Sequence, residues 1–384
     1  MDIVFCKNLL RKSETFVVDH LNSLPSSSKR LVGFRRIEDG MATLPPDTHI
    51  LRHKNWERCL FEAKGRSAAF NRALTDLRPR VVHAHFANQG TQLAPMCERQ
   101  GVPLVISCHG RDVFRTDESL LRSGLSEQLW ARRRKDMGRI SADFVAVSQF
   151  VAGQVAALGV PSERVHVVAN PLDVASIPFR ETGRDPMTVL FVGRLVPKKG
   201  IAEAIAAIAA LKADFPDIGL RIIGEGPLRS ELEAHAKPLG GAVTFLGYQD
   251  RATVLEEMCQ ATVLVVPSRR ADDGDSETFG VVAAEAQATG LPVVVTPHGG
   301  LPEVVIHNQG GLVAMDESSG AVSQALRVVL SSKEAASSMG AAGRKSVQDR
   351  FDASVVGKQF DNLYESLSLR AASNAANDRG VVAR

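Results

Sequence analysis

Short apolar runs alternate with amphipathic segments along almost the whole chain. The runs at Asp2–Cys6, Leu31–Phe34, Val81–His85, Leu104–Cys108, Phe144–Val147 and Val165–Val168 read as strands. A second set follows at Thr188–Val192, Leu220–Ile223, Val243–Phe245, Thr262–Val266, Pro292–Thr296 and Gly311–Val313. Both sets are rich in Val, Ile and Leu without clean alternation, the pattern of parallel strands buried on two faces. Between them, helical periodicity predicts helices over 56–77, 118–139, 201–213, 227–237 and 250–260. Strand–helix alternation in this order predicts an α/β fold of doubly wound sheets.

The strands fall into two equal sets about Asn170–Pro186, a short, proline-bearing, non-periodic stretch that reads as a linker. Two Rossmann-like domains are expected, over residues 1–173 and 174–352. After Gly320 the pattern is purely helical, with segments near 321–331, 334–349 and 353–370. No strands remain for the last helix to cover, so it is expected to return to the first domain. Residues 371–384 are small and polar and are expected to fray. Open α/β sheets bind ligands beyond the carboxyl ends of their strands. The two domains are therefore expected to face each other across a cleft that holds the site.

Composition narrows the class. The 384 residues are 44% hydrophobic and 23% charged, which is ordinary globular usage and argues against disorder. Five scattered cysteines (Cys6, Cys59, Cys97, Cys108, Cys259) form no CxxC pair and no ligand spacing, so neither disulfides nor a structural metal is expected. The chain opens without a signal-like stretch and has no run of eighteen apolar residues, so a reducing cytoplasm is the expected compartment. Charge is uneven. Residues 1–173 hold 25 Lys+Arg against 18 Asp+Glu (+7), and the remainder holds 21 against 25 (−4). Clusters such as Arg132-Arg133-Arg134-Lys135 read either as solvated helix faces or as a basic domain resting on an anionic membrane surface. Aromatics are only 5% and do not interleave with the basic runs, so nucleic acid is not expected.

Candidate chemistry concentrates at strand ends. At 262–303 a strand ends at Pro267-Ser268, a polar loop follows, and Glu277-Thr-Phe-Gly-Val-Val-Ala-Ala-Glu285 opens a helix expected over Phe279–Thr289 and stopped by Gly290. Glu277 then stands at the helix mouth and Glu285 two turns along. A helix N-terminus attracts phosphate, and carboxylates accept hydrogen bonds from hydroxyls. Taken alone, the pair also fits a dipole-matched acid followed by an exposed one. Val192-Gly193-Arg194-Leu-Val-Pro-Lys198-Lys199-Gly200 carries a strand into a glycine turn and a helix start. Arg194 and Lys199 are placed to neutralise a diphosphate, though the stretch also reads as a basic loop; Lys198 is expected in solvent. His109-Gly110-Arg-Asp112 follows one strand and His83-Ala-His85-Phe86 ends another. A histidine at such a place is also commonly a satisfied structural residue. No third metal ligand has matching spacing, so no metal is called.

Glu277 to Glu285 resembles the Glu-x7-Glu motif of the retaining GT-B glycosyltransferases of family 4, and Leu291-Pro-Val-Val-Val-Thr-Pro-His-Gly-Gly-Leu-Pro-Glu303 is similar to that family's next strand and glycine-rich turn. The resemblance implies that Glu277 binds donor-sugar hydroxyls and Glu285 the ribose, with backbone N–H groups of Phe279, Gly280 and Val281 facing sugar and phosphate. Gly193-Arg194-x4-Lys199-Gly200 is similar to the family's diphosphate-binding turn, which implies Arg194 and Lys199 as ligands. Ile222-Ile-Gly224-Glu-Gly226-Pro227 is similar to a turn near the nucleotide. His109 is implied as a catalytic-site residue reaching the donor, beside Asp112. His83-Ala-His85-Phe86 and Ser13-Glu14-Thr15-Phe16 resemble elements of exopolysaccharide-type members, which implies His83, His85 and Ser13 on the acceptor side, and Asp112 is expected there with them. The family implies a nucleoside-diphosphate-sugar donor, a glycan or lipid-linked acceptor, retention at the anomeric carbon, and no metal or other cofactor. The chain departs from the family after its first strand: no glycine precedes Gly33, and the Asn8–Ser13 loop stands where a glycine-rich turn is common.

Other classes share parts of this pattern. A dinucleotide-dependent oxidoreductase needs G-x-G-x-x-G at the first strand–helix turn, and residues 6–16 contain no glycine. A nucleotide-sugar epimerase or another GT-B enzyme shares the expected fold, and a non-enzymatic nucleotide-sugar binding protein is a third class.

Overall fold

The computed structural model describes residues 1–9, 15–25, 29–36, 44–45, 48–51 and 55–382. The chain divides into two compact units. One is Met1–Pro171 with Ala353–Arg384, and the other is Leu172–Asp352.

The first unit is built on a parallel sheet of seven strands: β1 (Asp2–Phe5), β2 (Lys29–Gly33), β3 (His49–Ile50), β4 (Val81–His85), β5 (Leu104–Cys108), β6 (Asp143–Ala146) and β7 (Val165–Val167). Their order is β3-β2-β1-β4-β5-β6-β7. Chain order reverses between β1 and β4, which makes their carboxyl ends the switch point where such sheets bind ligands. Every residue of β1, β4, β5 and β6 is buried. These are the continuous apolar runs of the sequence, covered on both faces as a central parallel strand must be. The short edge strand β3 has no such pattern and was not foreseen. Asn8–Leu9 pairs with Arg35–Arg36 in a separate two-stranded ladder. The rest of the expected Asn8–Ser13 substitute loop, with Ser13 itself, lies outside the described residues.

Helix α1 (Thr15–Ser23) packs on this sheet beside a long C-terminal helix, numbered below as α5 (Ala353–Val382). Val356, Phe360, Leu363, Tyr364 and Leu367 form the buried stripe of that helix and join Val4, Leu21, Leu31, Val81 and Val105 in one core. Their spacing of three and four residues keeps them on one face. Burying each large apolar side chain contributes about 1.5–3 kcal/mol, which holds the helix on this unit. It continues to Val382, so residues 371–382 are helical rather than a frayed tail.

The second unit repeats the plan with β8 (Thr188–Val192), β9 (Gly219–Ile223), β10 (Val243–Gly247), β11 (Val263–Val266), β12 (Val293–Val295) and β13 (Gly311–Val313). The order β10-β9-β8-β11-β12-β13 puts its switch point between β8 and β11. The helices that matter for the site are α2 (Ile201–Leu211) and α3 (Val281–Ala288); α4 (Lys333–Phe351) packs behind α3.

Candidate functional site

The carboxyl ends of β8 and β11 bring together most of the residues singled out in the second unit. Beyond β8 the chain passes Gly193 and Arg194, makes a 3-10 turn over Pro197–Lys199 and enters α2 through Gly200. The turns after β8 and β9 press closely: a Cβ on Gly224 would lie 1.9 Å from the Gly193 carbonyl oxygen. Arg194 is exposed and, among the described residues, forms no ion pair. Lys199 forms an ion pair with Glu277, both side chains mostly sheltered, and Ser268 Oγ lies 3.5 Å from the same carboxylate oxygen. Lys198, expected in solvent, instead pairs with Asp275 at 3.1 Å because the acidic loop folds back over it. Asp275 belongs to Asp273-Gly-Asp275, and its backbone N–H donates to Asp273 at 3.0 Å.

Helix α3 starts at Val281, two residues later than expected, because Gly280 sits in the left-handed region as its N-cap. Phe279 turns inward against Phe351, with ring centroids 5.1 Å apart. Burial pushes the Glu277 carboxyl up, but Lys199, then Lys198 and His298, more than offset this and hold it below the usual range. Glu285 goes the other way: burial raises it, and the half-exposed Arg251, 3.2 Å away, only partly offsets that. The site therefore holds one acid kept ionised by cations and one that protonates more readily. Nothing in the sequence assigns Ser268 a role, although it closes the strand of the segment that suggests chemistry, and Arg251 lies outside every such segment.

In the first unit the histidines are placed differently from expectation. His83 and His85, expected on the acceptor side, are buried within β4, with His20 of α1 and Phe360 and Tyr364 of α5 packed against them. Asp112, expected beside them, is also turned inward. Its carboxylate accepts the backbone N–H groups of Ala87 (2.7 Å), Gly110 (2.8 Å) and His109 (3.1 Å), tying the ends of β4 and β5 together. Of these four residues only His109 is part-exposed, wedged against Phe16 and Phe86 with ring centroids 4.4 and 5.1 Å away. Phe86 holds φ +70 at the end of β4. A bulky residue in that region is strained, and such strain gathers at functional sites. His20 of α1 and Tyr364 of α5 join the histidines, an association that no sequence spacing announces.

Among the described residues no helix is long and apolar enough to cross a membrane. The family described as "Glycosyl transferases group 1" matches residues 177–346, and the family described as "Glycosyltransferase Family 4" matches residues 39–176. The chain is 30% identical over 296 residues to a glycogen synthase of Mycobacterium tuberculosis, covering 75% of this chain and 69% of that protein. It is 27% identical over 267 residues to the amylovoran biosynthesis glycosyltransferase AmsK of Erwinia amylovora, covering 68% and 63%. Its fold is similar to that of Anabaena HepE in complex with UDP, with a TM-score of 0.75 at 18% identity over 95% of this chain and all of that one. Likeness of this extent, on a pair of parallel doubly wound units, means that the chain belongs to glycosyltransferase family 4 and is an enzyme of the GT-B fold.

Proposed function

We propose that the enzyme moves a hexosyl group, with retention, from a nucleoside diphosphate sugar to a glycan or lipid-linked acceptor in assembly of an exopolysaccharide or surface polysaccharide. The observation that carries this is the cationic pair Arg194 and Lys199 beside Glu277 at the second unit's switch point, ahead of the Gly280-capped helix. Arg194 and Lys199 take the diphosphate, and the first N–H groups of α3 add donors to it. Glu277 and Glu285 accept from sugar and ribose hydroxyls, and His109 serves the donor sugar. As the glycosidic bond breaks, charge grows on the leaving diphosphate. Fixed cations and N–H dipoles stabilise it without reorganising. The same two cations make a divalent ion unnecessary, and both carboxylates of the nearest Asp-x-Asp are already engaged.

One relative and one protein of similar fold support the proposal: AmsK acts in amylovoran biosynthesis by its name, and HepE carries UDP. The first unit, with 29 Lys+Arg against 20 Asp+Glu (+9), rests on an anionic membrane where a lipid-linked acceptor resides. The test is incubation with a panel of nucleotide sugars and membrane acceptor in excess chelator. Release of nucleoside diphosphate with an α-linked product from an α-linked donor is expected. Release that appears only when manganese or magnesium is restored would overturn the metal-free part, and inversion would overturn retention.

A further inference from the structure

Six groups in the first unit are joined end to end by hydrogen bonds. Ser107 Oγ meets His83 Nε2 at 2.7 Å, and His83 Nδ1 meets the Tyr364 hydroxyl at 2.5 Å. That hydroxyl meets His20 Nε2 at 2.9 Å, and His20 Nδ1 meets His85 Nε2 at 2.9 Å. His85 Nδ1 meets His109 Nε2 at 2.8 Å. Every group but His109 is buried. The rings of His83 and His85 are near-parallel with centroids 5.1 Å apart, and those of His85 and His109 are near-coplanar and meet edge to edge, also 5.1 Å between centroids.

A neutral imidazole donates from one nitrogen and accepts at the other, and a phenol has one hydrogen to give. Tyr364 can donate to only one histidine, and accepting from both would leave its own buried hydrogen without an acceptor, so it donates to one and accepts from the other. Only two arrangements then satisfy all five bonds. In one, Ser107 donates to His83, His83 to Tyr364, Tyr364 to His20, His20 to His85 and His85 to His109, which leaves His109 protonated on Nδ1. In the other every bond is reversed and His109 is protonated on Nε2. Any mixture leaves a buried donor facing a donor or an acceptor facing an acceptor, a cost of about 1–3 kcal/mol.

We infer that Ser107, His83, Tyr364, His20 and His85 are positioning residues that act as one tautomer clamp on His109, so that the ring bound for the donor phosphate carries its proton on Nδ1. An anionic oxygen accepting from His109 Nδ1 selects the first arrangement along the whole chain. No net proton transfer is involved. Burial supports the all-neutral count: it holds His20, His83 and His109 well below the usual histidine value, lowers His85 to about 3, and raises Tyr364 well above the usual phenol value.

Ring nitrogens of His20, His83 and His85 also lie within 4.8 Å of one another, which would admit a metal. The 2.9 Å between His20 Nδ1 and His85 Nε2 is shorter than the roughly 3.3 Å that two zinc–nitrogen bonds at a tetrahedral angle impose, so the hydrogen-bonded state fits better.

The inference rests on the donor-site role proposed for His109, and the test separates the two. The full chain with 15N-labelled histidine rings is examined by NMR at pH 7.5, alone and with UDP or GDP, as wild type and as Tyr364→Phe. With UDP or GDP bound, wild type is expected to show a single neutral tautomer at all four rings, with His109 protonated on Nδ1. Tyr364→Phe removes one hydroxyl from the middle of the chain and should leave His109 a mixture of tautomers. Its kcat should fall on the order of tenfold, as when an orienting partner is lost from behind a functional group, with donor KM within about twofold. Mixed tautomers in nucleotide-bound wild type, an imidazolium in either state, stoichiometric zinc in the purified protein, or an unchanged His109 spectrum and kcat in Tyr364→Phe would each overturn the clamp. Full turnover by His109→Ala would instead refute the donor-site role, with the spectra still deciding whether the clamp exists.

Discussion

Lys199 is aimed by the residue that follows it. Gly200 holds φ +63, and a Cβ there would lie 1.8 Å from the Pro267 carbonyl oxygen at the end of β11. Only glycine lets the β8 turn pass so close to β11, and this closeness brings Lys199 to Glu277. Gly200→Ala must therefore move the turn as well as strain it. A non-glycine residue in the left-handed region costs about 1–3 kcal/mol before any clash is counted. For a domain of this size, Tm should fall on the order of 5 °C, with donor affinity falling alongside. Unchanged thermal denaturation in Gly200→Ala would show that the turn is not held this way.

At the scale of elements, β4 and α1 carry imidazoles where parallel strands and packed helices carry apolar side chains, and this has a consequence for acid stability. His20, His83, His85 and His109 are all depressed by burial, His85 to about 3. The unfolded chain protonates them near 6.5 while the fold does not, so it binds more protons and stability rises with pH in that range. Their contribution is present above pH 6.5 and is lost as pH falls from there towards the folded values. Each costs about 1.4 kcal/mol per pH unit, so urea unfolding of the first unit should lose on the order of 4 kcal/mol between pH 6.5 and 5.5. A flat profile over that unit would mean that the histidines are charged in the fold.

This element is also where the sequence stops being enough. Buried parallel strands announce themselves by short apolar runs, and β5, β8 and β13 fall where those runs fall, as does β4 despite its two histidines. Helix breaks are weaker signals. The expected helix over 56–77 is two, Asn55–Lys64 and Ala68–Leu77, because Gly65 takes φ +59 and Ser67 caps the second. Residues at β8 and α3 could be grouped because one strand–loop–helix passage holds them. His20, His83 and Tyr364 come from three distant segments, and only the return of α5 to the first unit brings them together.

For the molecule as a whole, the fold sharpens the charge asymmetry seen along the chain. With α5 returned to it the first unit carries +9, and the second, with 17 Lys+Arg against 23 Asp+Glu, carries −6. A basic unit should sediment with anionic vesicles at low salt and be released as salt rises, since the Debye length falls from about 10 Å at 0.1 M to about 3 Å at 1 M. Absence of vesicle binding at low salt, with efficient transfer to a water-soluble acceptor, would contradict membrane contact while leaving sugar transfer intact. The central claim is that the second unit holds a nucleoside diphosphate through Arg194 and Lys199 without a metal. Calorimetric titration of UDP, GDP and ADP into wild type and Lys199→Ala, in chelator, tests it most directly. One of the three should bind wild type, and Lys199→Ala should weaken that binding by roughly 1.5–3 kcal/mol, the usual value of a hydrogen bond to a charged group. Binding as tight in Lys199→Ala as in wild type, or no binding until a divalent ion is added, would contradict it.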